Sequence, residues 1–280
     1  MGDGITFVVP LHMKKKFNFV PLFGVIILGF GLLSFNQKEI VNFSQKVENK
    51  AFQSGEVLNY RIHYGVVNAG IVTMKVSEPV KVNDRDAYNL KIEGETLKSF
   101  DWAYKVRDKF ETWIDVESHV PYRYSKTVRE NDYFYQEIAI YNHEQKYLKN
   151  KKGKITITPT TMDVASAIYY LRNIDYNNSK VGAKFPMDVY IDNEVYNLSV
   201  KYVGKETIAT PLGKIRCIKI KPELVVDRVF KNKDAMTVWV SDDDNHIPVR
   251  IQTEIYVGSL KVDLVKHENL KNPLSALIKK

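Results

Sequence analysis

Apolar and polar residues alternate one by one through most of this sequence, a period that ties the chain to strands with one face buried and one face wet. Leu58, Tyr60, Ile62 and Tyr64 fall on one side of such a strand, with Asn59, Arg61 and His63 on the other. The period returns at Val72, Met74 and Val76, at Tyr88, Leu90 and Ile92, and at Phe110, Thr112 and Ile114. It resumes at Phe185, Met187, Val189 and Ile191, then at Leu198, Val200 and Tyr202. Ile251, Thr253, Ile255 and Val257 follow, then Leu260, Val262 and Leu264. Polar turns such as Asn83 to Asp86, Lys151 to Lys154 and Asp242 to Asn245 part the runs. Many short strands joined by tight turns predict a mainly β fold, an antiparallel curved sheet or flattened barrel.

One segment breaks the alternation. Behind a threonine or Asp163 as cap, Val164, Ala167, Ile168 and Leu171 recur at helical spacing, which predicts one amphipathic helix over 163–172, packed on the sheet or plugging its open end. A shorter helical turn is expected around Ser99 to Tyr104. No long repeat, low-complexity tract or Pro/Gly/Ser linker marks a boundary, so 51–270 reads as a single β-rich domain. Residues 36–50 read as a linker before it and 271–280 as a tail after it. With 44% hydrophobic and 12% aromatic residues in 280, the domain can fill a core.

The N-terminus sets the compartment. Lys14, Lys15 and Lys16 precede Phe17 to Phe35, which is apolar apart from Asn18 and Ser34, and polar sequence resumes at Asn36. A positive stretch, a hydrophobic run and a polar exit make an export signal, either a cleaved signal peptide or an uncleaved inner-membrane anchor through 17–35. Residues 1–12 are unlike the start of a signal, so Met13 reads as the translation start. The positive-inside rule places the body of the protein in the periplasm or cell envelope. No cysteine follows the apolar run to accept a lipid, and the lone Cys217 cannot form an intramolecular disulfide.

Chemistry is sparse. Lysine and arginine outnumber the acids 41 to 33, an excess spread along the chain with no aromatic-plus-basic nucleic-acid motif, so nucleic acid is not an expected partner. His63, His119, His143, His246 and His267 have no metal-ligand spacing, and Asp242 to Asn245 lacks the glycine and distal glutamate of a calcium loop. No metal or other cofactor is expected. There is no nucleophile elbow, and acid pairs such as Glu93 with Glu95, or Asp108 with Glu111, are read as able to share a strand face without identifying an enzyme. The suggestive feature is aromatic: Tyr122, Tyr124, Tyr133, Phe134 and Tyr135 crowd two neighbouring strands, either as cross-strand pairs or as a contact surface for a ligand or partner.

Several segments taken together resemble a known family. Gly55 to Tyr60 with Gly65 and Gly70 is one, and Asp163 to Ala167 with Tyr169, Tyr170, Leu171 and Arg172 is another. Val238 to Asp243 running into Pro248, Val249, Arg250 and Ile251, followed by Val257, Gly258 and Ser259, completes the set. Over about residues 50–270 these segments resemble domain-of-unknown-function family 3108 of Bacteroidota and related bacteria. The resemblance implies an exported, mostly β protein with no established activity and no catalytic residues to carry over. In physical terms Asp163, Tyr170, Arg172, Trp239, Asp242, Pro248, Arg250 and Gly258 read as structural. Gly65, Gly70 and Gly258 suit turns or close backbone approach, Arg172 is expected to lock the helix against the sheet, and Arg250 to pair with an acid of the Asp242 to Asp244 turn.

The leading functional expectation is a non-enzymatic envelope protein whose curved sheet binds a lipid or other apolar ligand. The alternatives are an envelope scaffold that presents an aromatic sheet face to a protein partner, with Tyr122, Tyr124, Tyr133 and Tyr135 as contacts, and an undetected hydrolase of envelope polymers.

Overall fold

Side chains on a strand point alternately to its two faces, so the observed alternation of buried and exposed positions is the direct product of the sequence period. A computed structural model describes residues 48–82, 84–222, 235–254 and 258–279. The expected leader, 17–35, lies outside the described residues, as do Ile255 and Val257. The first half of the domain contributes β1 (Val57–Tyr64), β2 (Val67–Val76), β3 (Val80–Val82), β4 (Arg85–Thr96), β5 (Arg107–Asp115) and β6 (Pro121–Glu130). β7 (Tyr133–Asn142), β8 (Tyr147–Asn150) and β9 (Gly153–Thr156) complete it. Then come β10 (Met162–Asp163), helix α1 (Val164–Arg172), β11 (Lys184–Ile191), β12 (Glu194–Thr210) and β13 (Gly213–Pro222). The chain ends with β14 (Met236–Ser241), β15 (Pro248–Glu254), β16 (Ser259–Glu268) and β17 (Leu277–Ile278).

The strands form one sheet. From edge to edge the order is β9, β8, β7, β6, β5, β4, β2, β1, β16, β15, β14, β13, β12, β11, β10, with β3 also on β4 and β17 on β13. All pairs are antiparallel except β10 with β11. The sheet curls without closing, because among the described residues no ladder joins the two ends. Side chains bridge the gap instead: Thr112 donates to Asp163 at 2.6 Å, Lys126 to Asp192 at 2.7 Å and Asn150 to Tyr190 at 2.7 Å. The β10–β11 edge thereby tucks inside the curl, against the inner faces of β5 to β8.

Inward positions follow the expected parity. Leu58, Tyr60 and Ile62, then Val72, Met74 and Val76, then Phe110, Thr112 and Ile114 are all buried. So are Met187, Val189 and Ile191, then Leu198, Val200 and Tyr202, then Val262 and Leu264. The helix starts where Asp163 caps it: its carboxylate accepts from the Ser166 N–H at 3.0 Å, and the Ser166 hydroxyl accepts from the Asp163 N–H at 2.9 Å. The shorter turn expected near Ser99 is a 3-10 turn over Lys98–Phe100.

Two expectations change. The stretch expected as a tail is packed: Ala276 is buried, β17 pairs with β13, and Asn245 holds the Asn272 and Pro273 carbonyls. Leu277–Ile278 is too short to show a period of its own. Arg250 does not reach the Asp242 turn, because its outward side chain lies beside Asp263 on β16, with contacts of 2.5 and 2.9 Å. Asp242 pairs with Lys205 of β12, and Asp243 accepts from the Ser241 hydroxyl and from the Asn245 and Ala276 N–H groups, which ties the turn to β12 and to the C-terminal segment.

Candidate functional site

The helix organises the interior because it is buried on two sides. Ala165, Ser166, Tyr169 and Arg172 face the N-terminal half of the sheet, where Tyr169 packs edge-on to Phe52 at 4.9 Å. Arg172 is fixed by four bonds. It donates to the two Glu56 carboxylate oxygens at 2.6 and 2.8 Å, to the Ala51 carbonyl at 2.9 Å and to the Asn245 carbonyl at 3.0 Å. These bonds close one end of the curl by tying the helix C-terminus to the entering chain and to the β14–β15 turn. Tyr170 points away from both halves and is partly exposed.

The other helical stripe packs only in part on the sheet: Ala167, Val164 and Leu171 join the cluster of Met187, Val189 and Val200, but they leave a gap. Val164, Ala167, Ile168 and Leu171 line a cavity of about 150 Å³ between the helix and the C-terminal half of the sheet. Met187, Val200, Ile220, Val238, Ile251 and Val262 form its far wall, and Tyr60, Val72, Met74 and Ile92 its floor. Pro248 and Arg172 line it near the closed end, and at the other end it reaches Pro222 and Met236. Arg172 is the one charged side chain among the described lining residues, and its guanidinium nitrogens are already engaged. An apolar space of this kind offers water few hydrogen-bond partners.

A second, polar cluster lines the seam. Glu137 accepts from Tyr190, and from Asn150 at 3.2 Å, while Lys126 lies over the Tyr135 ring. Nearby, Asp108 and Glu130 are buried neighbours, and Tyr104 donates to Glu130 at 2.7 Å. Burial, reinforced by Glu130, pushes the Asp108 carboxyl up to about 7 against the pull of the Arg129 N–H. Burial likewise pushes Asp163 up to about 6 despite its bonds from Thr112 and Ser166. These groups sit inside the wall, and Asp108 also borders a polar groove formed with Glu93, Glu95, Arg107 and Lys109.

The expected acid pairs are not brought together as dyads. Asp108 faces inward and Glu111 outward, as their odd spacing on one strand requires, which corrects the shared face expected for them. Glu93 and Glu95 do share the outer face, where they pair with Lys75 and Arg107. Among the described residues no three His, Cys, Asp or Glu side chains converge as metal donors. Cys217 is buried, and burial pushes its thiol up to about 12.

The tyrosines do not form one contact surface. Tyr124 lies inside the curl, edge-on to Tyr190, while Tyr122 donates to Asp115 and Tyr135 to Glu137. Tyr133 alone of the four is exposed, and none lines the cavity. The exposed apolar stripe of this region is instead Phe134, Ile138 and Ile140, on the outer face of β7. Trp239 also packs on the outer face, its indole donating to Glu206. Gly258 has a φ of 75°, and a side chain there would meet the Tyr64 hydroxyl at 2.7 Å.

A curled antiparallel sheet, open along one seam and wrapped around a single helix, defines a barrel-like β protein. Its fold is shared with a beta-barrel-like protein of unknown-function family DUF1849 from Brucella abortus, at a TM-score of 0.53 and 11% identity, covering 78% of this chain and 99% of that one. Looser likenesses, with TM-scores of 0.33 and 0.37, are to a Bacteroides fragilis protein of YmcC-like fold (12% identity, 78% of this chain and 98% of that one) and to a Parabacteroides distasonis protein described as a candidate lipoprotein (13% identity, 80% and 100%). The chain belongs to DUF3108, a family of proteins of unknown function, whose profile matches residues 59–265. No curated protein matches it.

Proposed function

We propose that this chain is a non-enzymatic protein of the bacterial cell envelope that holds the hydrocarbon part of a lipid inside its curled sheet. The cavity carries the reading. Its walls are aliphatic apart from Tyr60, and its one charged neighbour is internally neutralised, so it offers an alkyl chain burial at about 0.8 kcal/mol per methylene and offers a charged headgroup no free counter-charge. The envelope location rests on Lys14 to Lys16 and the apolar run behind them.

The test is occupancy. Protein purified from its own envelope, analysed by native mass spectrometry, should carry a co-purifying lipid. A short-chain fatty acid such as hexanoate, whose alkyl segment matches a space of about 150 Å³, should displace a fluorescent apolar probe from the full chain. Ala167→Leu, which projects a larger side chain from the helix into the cavity, should weaken probe binding at least tenfold, a loss of about 1.4 kcal/mol or more. No bound lipid, together with probe binding that Ala167→Leu leaves untouched, overturns the reading.

A further inference from the structure

At the end of the curl opposite Arg172, two neighbouring turns expose large apolar side chains. The β1–β2 turn presents Val66, 97% exposed, and the β4–β5 loop presents Trp102, 86% exposed. Tryptophan is among the more buried residue types on average, so a nearly naked indole is unusual. The turns lie side by side: Gly70 pairs with Thr96, and the Leu97 N–H donates to the Ala69 carbonyl at 2.9 Å. Val67, exposed beside Val66, extends the apolar tip.

The tip carries two lysines beside the exposed acids Glu95 on β4 and Asp132 in the β6–β7 turn, whose Asn131 side chain accepts from the Lys105 N–H at 2.8 Å. Lys98 and Lys105 flank Trp102 and are exposed. The loop's one acid, Asp101, is consumed by Arg107 at 2.7 Å and by Thr96 at 2.8 Å, and the β1–β2 turn contains no acid. An indole and aliphatic side chains between two lysines that make no ion pair among the described residues match the boundary of a bilayer whose headgroups are anionic.

The tip lies at the same end of the sheet as the outer end of the cavity, four strands away. Met236, which lines that end, pairs with Thr253, Thr253 with Leu260, Leu260 with Tyr64, and Tyr64 with Val67. We propose that Val66, Val67 and Trp102, flanked by Lys98 and Lys105, dock this end of the protein onto an anionic lipid surface. The docking surface is separate from the cavity and acts whether or not the cavity is filled.

The full chain, mixed with vesicles of phosphatidylcholine and phosphatidylglycerol brominated in their acyl chains, tests this, because bromine quenches only an indole at bilayer depth. Of the chain's three tryptophans one is at the tip, so quenching should approach about a third of the emission. Trp102→Phe, which removes the reporter at an exposed position, should abolish the quenching and leave the melting temperature unchanged. Lys98→Glu with Lys105→Glu should weaken it by at least about 25-fold in apparent affinity, about fivefold for each lysine lost. Added salt should weaken the wild type in the same direction. Absence of quenching, quenching that survives Trp102→Phe, or equal quenching with phosphatidylcholine alone each overturns the proposal. Occupation of the tip by a protein partner would give the first of these.

Discussion

Replacing Glu56 by glutamine leaves the shape of the closed end intact and removes the charge that Arg172 faces. The two side chains are 1% and 0% exposed, so water cannot replace the lost partner. The guanidinium would keep its bonds to Ala51 and Asn245 and retain one neutral acceptor from the amide, but its charge would stand uncompensated in the interior. Breaking one side of such a pair costs about 3–5 kcal/mol, whereas removing both sides is often near neutral. For a domain of this size each kcal/mol lowers the melting temperature by about 2–4 °C, so Glu56→Gln should melt about 10 °C below wild type. Urea unfolding followed by circular dichroism should give the same loss with an unchanged m-value. Glu56→Leu combined with Arg172→Met should recover most of it. If Glu56→Gln stays within about 1 kcal/mol of wild type, the pair does not hold the end shut, and the assignment of Arg172 to structure and not to ligand falls with it.

Asp108 gives a pH signature of definite sign. Its carboxyl is held at about 7 when folded against about 3.9 in an unfolded chain, so the folded state binds the proton more tightly and stability falls as pH rises between those values. Asp108→Asn should be more stable than wild type at pH 8 by a few kcal/mol and indistinguishable from it near pH 4; thermal melts with parallel pH slopes would contradict this. His119 works in the opposite sense, since burial holds its imidazole down to about 4, so its share of stability is lost as pH falls from about 6.5 toward 4. Gly258→Ala should cost about 1–3 kcal/mol, through the positive φ and the contact with Tyr64, and replacing Tyr64 as well should relieve only the contact. An unchanged melting temperature would mean that the loop relaxes freely.

What could be read from the sequence depended on whether the inward side chains were apolar. β1, β2, β11 and β12 bury hydrophobic residues at every second position, so their alternation was plain. In β6 and β7 the inward row includes Lys126, Glu130 and Glu137, which serve the seam, and these charges hid the period. The tyrosines there consequently read as one set in the sequence, although the parity of Glu137, Ala139 and Tyr141 places Tyr135 inward and Phe134 outward. The helix was legible because Asp163 and the Val164, Ala167, Ile168 and Leu171 stripe lie within one short segment. The Glu56–Arg172 pair was not, because only the folded sheet brings partners 116 residues apart into contact, and the Arg250–Asp263 pair depends on the register of β15 against β16. The stripe itself could not say whether it faced packed side chains or empty space.

That space follows from how the sheet hides its ends. A wide open sheet must protect its edges, and here the β10–β11 edge does so by turning inward, held by side-chain bonds in place of a ladder. The inward edge carries the helix into the lumen, and on the cavity side the helix presents Ala167 where a larger residue would fill the gap. At about 24 cal/mol per Å³, an empty cavity of about 150 Å³ forgoes roughly 3–4 kcal/mol of packing. An apolar occupant would restore that stability. Ala167→Leu should therefore raise the melting temperature of lipid-free protein while it weakens ligand binding, two effects of opposite sign from one substitution. If it lowers both, the helix is already in contact with the far wall, and the curl has no room for a ligand.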